Sequence, residues 1–373
     1  MKLVFWSAVA FIGYSYLGYP AWLWIRSRWD SRPIRCGPHL ARVSIVMVVR
    51  NEAVVLERKL KNLLELNYPP DQMEILVVSD GSTDGTESIL FKFAHQPRLR
   101  LIIGDKTRGK AAGLNDAIRL SAGEIVVFTD ARQNIEANAL RFLAENFADP
   151  TVGCASGQLM LGDPDSGEKA RGIGLYWKIE KRIREMESAC GSVIGATGAL
   201  YAVRRSLLVL LPTETILDDV YLPLHVLRQG KRVIFEPRAR AWDVPDQGHQ
   251  REFARKVRTL SGNYQLFRLA PWLLGPSNPV WIGFFSHKVS RLVVPLALGA
   301  LLISSIFAAG DVYKVALVLQ LAFYALSLWA VVGPKQGLVA TVADTAFNFL
   351  LLNTAALVAL ANFVLCRRVA WAQ

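Results

Sequence analysis

The chain has 373 residues, 52% of them hydrophobic, and a formal net charge of +12. That is too apolar for an ordinary soluble enzyme and long enough for one large or two ordinary domains. Its Lys and Arg residues cluster beside apolar runs rather than in a stripe interleaved with base-stacking aromatics, so the charge suits anionic lipid and argues against a nucleic-acid partner.

Leu3 to Ile25 is almost uninterruptedly apolar and is followed by Arg26, Arg28, Arg32 and Arg35. A cleavable signal peptide would carry a shorter apolar region with its charge in front. The pattern predicts an N-terminal spanning helix within residues 1–28, with the following domain in the cytoplasm. Four cysteines, Cys36, Cys154, Cys190 and Cys366, have no metal-ligand spacing and read as reduced thiols.

Residues 40–250 have the composition of a soluble domain. Val43–Val49 reads as a buried strand ending at Arg50-Asn51-Glu52, and a helix with Val55, Leu60, Leu63 and Leu64 follows. Pro69-Pro70-Asp71 breaks the chain before a strand over Glu74–Ser79, which leads into Asp80-Gly81-Ser82-Thr83-Asp84-Gly85. A helix through Ile89–Phe93, a strand Leu99–Ile103, the turn Lys106-Thr107-Arg108-Gly109-Lys110 and a helix Ala111–Leu120 come next. The strand Glu124–Thr129 then ends at Asp130-Ala131-Arg132. This alternation predicts an α/β fold with a mainly parallel sheet covered on both faces. Asp80 and Asp130 stand where buried strands end, the place at which open α/β sheets collect ligands. Neither Gly spacing matches a Walker loop or a dinucleotide fingerprint. Lys106, Arg108 and Lys110 at a helix start suit a diphosphate, or else form a solvated basic turn.

Asp218-Asp219 opens a later helical pattern. Phe253, Val257, Leu260, Tyr264 and Phe267 recur at helical spacing among Arg251, Arg255, Lys256 and Arg258. This fits either an interfacial helix within residues 251–288 or a core-facing helix with a charged back. A similar stripe, Tyr176, Ile179, Ile183 and Met186, precedes it; Trp177 beside it meets a sugar or packs, and His249 reads as a loop residue rather than a metal ligand. Trp272, Trp281, Phe284 and Phe285 form an aromatic belt before residues 289–373. Three spans are expected there: Leu292–Ala309, Val315–Val332 and Leu338–Leu365. With the central domain inside, Pro334-Lys335 is also inside and Arg367-Arg368 outside, against the positive-inside rule, so Pro271–Phe285 dips into the membrane or the count differs. Asp344, Asn348 and Asn353 in the last span either bond between helices or line a wet path. Three acidic sites on one αβ scaffold flanked by spans point to a membrane enzyme of phosphate-linked substrates.

The ordered segments Arg50-Asn51-Glu52, Ser79-Asp80-Gly81-Ser82-Thr83-Asp84, Gly109-Lys110, Thr129-Asp130-Ala131-Arg132, Thr197-Gly198-Ala199 and Leu217-Asp218-Asp219 resemble the family-2 glycosyltransferases of GT-A fold. The likeness is greatest to the membrane-embedded synthases of hyaluronan, chitin, cellulose and poly-N-acetylglucosamine type. It implies a Rossmann-like GT-A domain and a nucleotide-sugar donor, probed first as a UDP-sugar. The implied acceptor is a glycan or lipid at a bacterial-type inner membrane. By that resemblance Asp80 contacts the uracil and ribose, Asn51 and Glu52 line the same pocket, and Lys110 meets the diphosphate, while Arg132 has the chemistry to hold a phosphate directly. Asp130 holds a divalent cation, Mg²⁺ or Mn²⁺, that offsets charge on the leaving group. Asp219, beside Asp218, is the base that takes the acceptor proton, so the transfer inverts configuration. Thr197, Gly198, Arg255, Arg258 and Tyr264 belong to the acceptor side. Two positions depart from the family pattern. Arg132 replaces the second acid of Asp-x-Asp, and Arg255-Lys256-Val257-Arg258-Thr259 replaces Gln-x-x-Arg-Trp, losing the tryptophan beneath the acceptor sugar. Those departures keep three rivals open: single-sugar transfer to a lipid, a transporter with a regulatory domain, and a non-catalytic sugar-nucleotide sensor.

Overall fold

The structure, a computed structural model, describes residues 1–162, 175–244, 249–333 and 337–367. The expectations for the side chains of Tyr176, Trp177 and His249, for Pro334-Lys335 and for Arg368 lie outside the described residues.

Eight strands form one sheet: β1 (Val43–Val49), β2 (Met73–Asp80), β3 (Leu99–Gly104), β4 (Ile125–Phe128), β5 (Asn134–Ile135), β6 (Val152–Leu161), β7 (Tyr201–Arg204) and β8 (Arg232–Asp243). Their order is β3-β2-β1-β4-β7-β6-β8-β5. β1 to β4 are mutually parallel, as the alternating pattern predicted. β7 runs antiparallel to both β4 and β6, and β5 antiparallel to β8, so the second half of the sheet is mixed.

Every residue of β1 and β2 is buried. Their side chains divide by parity: Ile45, Met47 and Val49 enter one core and Val46 and Val48 the other. The first core lies beneath helices α3 (Ala53–Leu64), α4 (Thr86–Phe93) and α6 (Ala139–Glu145). The second lies beneath α5 (Lys110–Leu120) and α8 (Asp218–Arg228). Gly113 lets α5 close onto the sheet, since a Cβ there would sit 2.9 Å from Val48 Cγ1.

The N-terminal helix is continuous over residues 2–29 as α1 (Lys2–Gly13), a π turn (Tyr14–Gly18) and α2 (Tyr19–Trp29). Its second half is rich in Trp and Arg. Among the described residues, three helices are long and apolar enough to cross a membrane: Trp281–Phe307, Asp311–Val332 and Leu338–Val364. The first combines α10 (Trp281–Gly283), a π turn (Phe284–Val289) and α11 (Ser290–Phe307), followed by α12 and α13 as the other two. It therefore starts well before the expected Leu292, because the segment after the Pro271–Leu274 turn resumes as helix at Trp281.

α7 (Leu175–Ala189) and α9 (His249–Leu269) connect the two parts. Leu260, Tyr264 and Phe267 of α9 pack against Ala359, Leu360 and Phe363 of α13, while Leu266 enters the second core. α9 is thus amphipathic because it lies between two apolar surfaces. Beneath it, His287 is held between Glu187 (2.7 Å) and Glu180 (3.0 Å), and the Tyr19 hydroxyl also donates to Glu187 at 2.8 Å. Asn353 donates to the Phe349 carbonyl of its own helix at 2.8 Å and also hydrogen-bonds Tyr16 of the N-terminal helix, so it bonds between helices.

Candidate active site

The carboxyl ends of β1, β2 and β4 open onto one cleft. Asn51, in the left-handed region with φ 55°, turns the chain out of β1. Its Oδ1 accepts from Thr83 N at 2.8 Å, and Glu52 N donates to Thr86 Oγ1 at 2.9 Å. Asp84 accepts from both Ala53 N and Thr86 N, where α3 and α4 begin. The Asp-Gly-Ser-Thr-Asp-Gly run therefore ties two helix starts together rather than forming a free loop. Burial raises the Glu52 carboxyl, with the Arg132 charge opposing that shift.

Asp80 departs from the expected nucleotide contact. It is 1% exposed, and its two oxygens accept from Arg108 N at 2.8 Å and Gly109 N at 2.9 Å. A carboxylate at the end of a fully buried strand needs such partners, and these amides are the ones within reach. Asp80 thereby shapes the turn that launches Lys110. Gly109 has φ +96° and Gly81 φ +62°, and a Cβ on Gly81 would meet Thr107 N at 2.6 Å, so both glycines are required by that turn.

Of the three basic residues of the turn, Arg108 pairs outward with Asp116. Lys110 alone turns in, donating to Asp130 Oδ1 at 2.8 Å and lying 3.0 Å from Asp218 Oδ1. Burial opposes its charge, but the two carboxylates win and hold the ammonium above its ordinary range. Asp218 is 5% exposed and also accepts from the Tyr201 hydroxyl at 2.9 Å, whose ring stacks on Phe128 at 4.7 Å.

Asp219 follows in the first turn of α8, where the helix terminus favours negative charge. Its carbonyl accepts from Ala196 N at 2.7 Å, which brings the 195–199 loop against it. A Cβ at Gly198 would lie 3.3 Å from Asp219 Oδ2 and 3.5 Å from Asp130 Oδ2. The two carboxylates therefore face one small space above Gly198. Burial, then the Asp218 charge, push Asp219 up to about 6, while Lys110 and Lys288 pull the other way. Thr197 N is fixed on Ser156 Oγ at 3.0 Å, and Arg184 donates to that same oxygen at 2.7 Å and to Gly195 O at 3.2 Å.

The remaining expected residues separate. Arg132 reaches Asp243 at the end of β8 at 3.4 Å, an ion pair across the mouth of the site. Arg258 lies in the field of Asp130, Asp218 and Asp219, and its buried Nε has no hydrogen-bond partner among the described residues. Arg255 is exposed one turn earlier. Tyr264 is not an acceptor platform: it is 6% exposed, its hydroxyl donates to Leu292 O at 3.3 Å, and its ring stacks on Phe363. Contact with the first and third of the C-terminal spans claims the side chain.

Lys59 escaped sequence reasoning. It lies on the buried face of α3 at 1% exposure and donates to Thr129 Oγ1 at 2.9 Å and Gln133 O at 2.8 Å. Thr129 Oγ1 in turn donates to Ala199 O at 2.8 Å. One ammonium thus braces the loop carrying Asp130 and links it to the loop carrying Gly198. Burial pushes Lys59 down to about 7, with Asp130 acting in the opposite sense. Its heptad-like neighbours Leu56, Leu60 and Leu63 gave the only hint, a lysine on an apolar stripe.

Among the described residues no three His, Cys, Asp or Glu side chains form a metal cage. The acids instead offer one or two hard oxygens above Gly198. That donor set fits a divalent cation taking its other ligands from phosphate and water.

Residues 44–210 match the family model described as Glycosyl transferase family 2. Over 285 residues the chain is 24% identical to the poly-beta-1,6-N-acetyl-D-glucosamine synthase of Staphylococcus aureus (strain COL), covering 74% of this chain and 68% of that protein. The synthase of the same name from Staphylococcus epidermidis is 24% identical over 239 residues, 62% of this chain and 56% of that one. Among solved structures, the mannosyltransferase PcManGT from Pyrobaculum calidifontis, in complex with GDP-Man and Mn²⁺, superposes with a TM-score of 0.75 at 25% identity, covering 98% of this chain and 99% of that chain. The chain accordingly carries a family 2 glycosyltransferase domain of GT-A fold, joined to three helices of membrane-spanning length, and is a glycosyltransferase.

Proposed function

We propose that the protein transfers a sugar, with inversion, from a nucleotide-diphosphate donor to a β-linked glycan at the membrane. The observation that carries this reading is the pair Asp130 and Asp219 facing one space above Gly198, with Lys110 beside them. In this scheme Asp219 accepts the proton of the attacking acceptor hydroxyl, its raised affinity for protons matching that task. Lys110 and Arg132 bind the diphosphate, and Asn51 and Glu52 line the nucleotide pocket. A divalent cation on Asp130, Mg²⁺ or Mn²⁺, supplies charge neutralisation for the departing nucleotide diphosphate. The solved relative's complex with Mn²⁺ supports a cation of that class. The catalytic domain then faces the cytoplasm of a bacterial-type inner membrane, where donor nucleotides are made.

A second reading, transfer of one sugar to a lipid-linked acceptor, is favoured by two observations. Thr259 stands where processive relatives of the resemblance carry tryptophan, and Tyr264 is spent on packing. The likeness to a mannosyltransferase also runs over nearly the whole chain.

The test is nucleotide release by the purified protein in lipid, across UDP-sugars and GDP-mannose, with Asp219→Asn as control and product length read by mass spectrometry. Release from one donor that Asp219→Asn abolishes is the expected result. Long products support glycan extension, and products one sugar longer support the second reading. Release unaffected by Asp219→Asn would overturn the assignment of the base.

A further inference from the structure

A second cavity of about 750 Å³ lies away from the acids, within the range of about 300–1,000 Å³ usual for small-ligand sites. Its walls come from the end of the N-terminal helix, the loop from Cys190 to Ile194, the turn Gly230–Arg232 and the segment Leu274–Gly283. Trp281 and Ile282, at its rim, are the first two residues of the first C-terminal span. Tyr19, Trp22, Leu23 and Arg26, on the opposite wall, belong to the second half of the N-terminal helix. The cavity therefore lies where these two helices meet the catalytic domain.

Its two ends differ in chemistry. Tyr19, Leu23 and Ile194 form a buried apolar floor, while Trp22, Trp281 and Ile282 are exposed at the mouth. Aromatic rings flanking a spanning helix favour the headgroup level of a membrane. Four cations line the other end: Arg26, Arg32, Lys231 and Arg232. Arg26 and Arg32 share the single carboxylate of Asp30, at 2.9 and 3.4 Å. Lys231 donates to Pro150 O, and Arg232 to the carbonyls of Gly191, Ser188 and Arg32. Carbonyls orient a cation without cancelling its charge, so the cavity keeps a net positive end. Glu187, the acid of the lining, already accepts from Tyr19 and bonds His287.

We propose that this cavity binds an anionic phospholipid, its phosphodiester among Arg26, Arg32 and Lys231 and its glycerol and upper chains against Trp22 and Trp281. An apolar, aromatic mouth joined to a cationic end complements the two halves of that molecule better than a soluble anion. The occupant would also brace the catalytic domain. Ile194 lines the cavity, lies in contact with Gly283 of the span, and precedes the Thr197-Gly198 loop by only a few residues.

The full-length protein in nanodiscs tests this. Melting temperature and retained lipid, the latter by native mass spectrometry, are compared in phosphatidylcholine alone and with added phosphatidylglycerol. A ligand of the native state raises the melting temperature by mass action, so phosphatidylglycerol should raise it by several degrees in the wild type. Lys231→Gln and Arg26→Gln should each lose about half of that gain and of the retained anionic lipid. Arg28→Gln is the control, because Arg28 is equally close to the membrane but stacks on Trp24 at 3.9 Å and does not line the cavity. Equal gain and retention in all variants would mean general attraction to a charged surface and would overturn the site. A gain reproduced by inorganic phosphate in neutral nanodiscs would assign the cavity to a free anion and overturn the lipid. Retention read by mass spectrometry decides the question even for a variant of altered stability.

Discussion

Lys59→Met exchanges a buried ammonium for an apolar group of similar length, and its effect on stability should depend on pH in a definite sense. Lys59 falls from its ordinary value of 10.5 to about 7 in the folded protein. At about 1.4 kcal/mol per pH unit, that gap is on the order of 5 kcal/mol against the charged form below pH 7. Since the unfolded chain holds the proton up to about pH 10 and the folded chain releases it near 7, the penalty is present in full below 7 and is relieved as pH rises towards 10.5. Opposing it are the hydrogen bonds to Thr129 Oγ1 and Gln133 O, whose loss strands a buried carbonyl at about 1–3 kcal/mol. At pH 6 the penalty exceeds that loss by about 2–4 kcal/mol, so Lys59→Met should melt several degrees above the wild type there. By pH 9 linkage has returned on the order of 2–3 kcal/mol to the wild type, and the two melting temperatures should nearly coincide. Differential scanning fluorimetry in nanodiscs at pH 6, 7.5 and 9 reads this directly. A difference between the two proteins that stays constant across that range would show that Lys59 keeps its proton, and the reasoning would fail.

Three further outcomes are expected. Asp219 must be ionised to act as base, so kcat/KM should fall about tenfold per pH unit below about 6 and level off above it; an acid limb near 4 would mean that burial and Asp218 do not shift it. Gly198→Ala would push a methyl group between Asp130 and Asp219, lowering transfer at least tenfold while shifting the melting temperature little; unchanged transfer kinetics would show that the space above Gly198 is not where reactants sit. Lys110→Met leaves Asp130 and Asp218 without their shared cation, so it should raise the donor KM and depress the melting temperature by several degrees; isothermal titration with the nucleotide diphosphate separates the two, and unaltered affinity would remove Lys110 from the donor site.

Much of the fold and part of the site were legible from residue order. The runs Val43–Val49 and Glu74–Ser79 are short, largely apolar and rich in β-branched residues, as strands buried on both faces are, and both are strands here. The turn glycines Gly81 and Gly109 and the acids Asp130, Asp218 and Asp219 were found because local geometry demands them close to strand or helix ends. Lys59, Arg184 and Tyr201 were missed because each reaches the site across many residues of chain, from the wrong side of a helix or from a strand interior.

Asp80 and Tyr264 show the same limit from the other direction. Both have the residue type of a site group, yet Asp80 is consumed by two backbone amides and Tyr264 by the first and third C-terminal spans. The antiparallel insertion of β7 between β4 and β6 likewise has no local signature, since pairing direction depends on where the chain returns. Periodicity and turn chemistry act over a few residues, and so the strands, the membrane helices and the order of the acidic motifs were determined by sequence alone. Which of those carboxylates stay open, and which cations meet them, is settled by long-range packing that decides what each buried polar group finds within hydrogen-bonding distance.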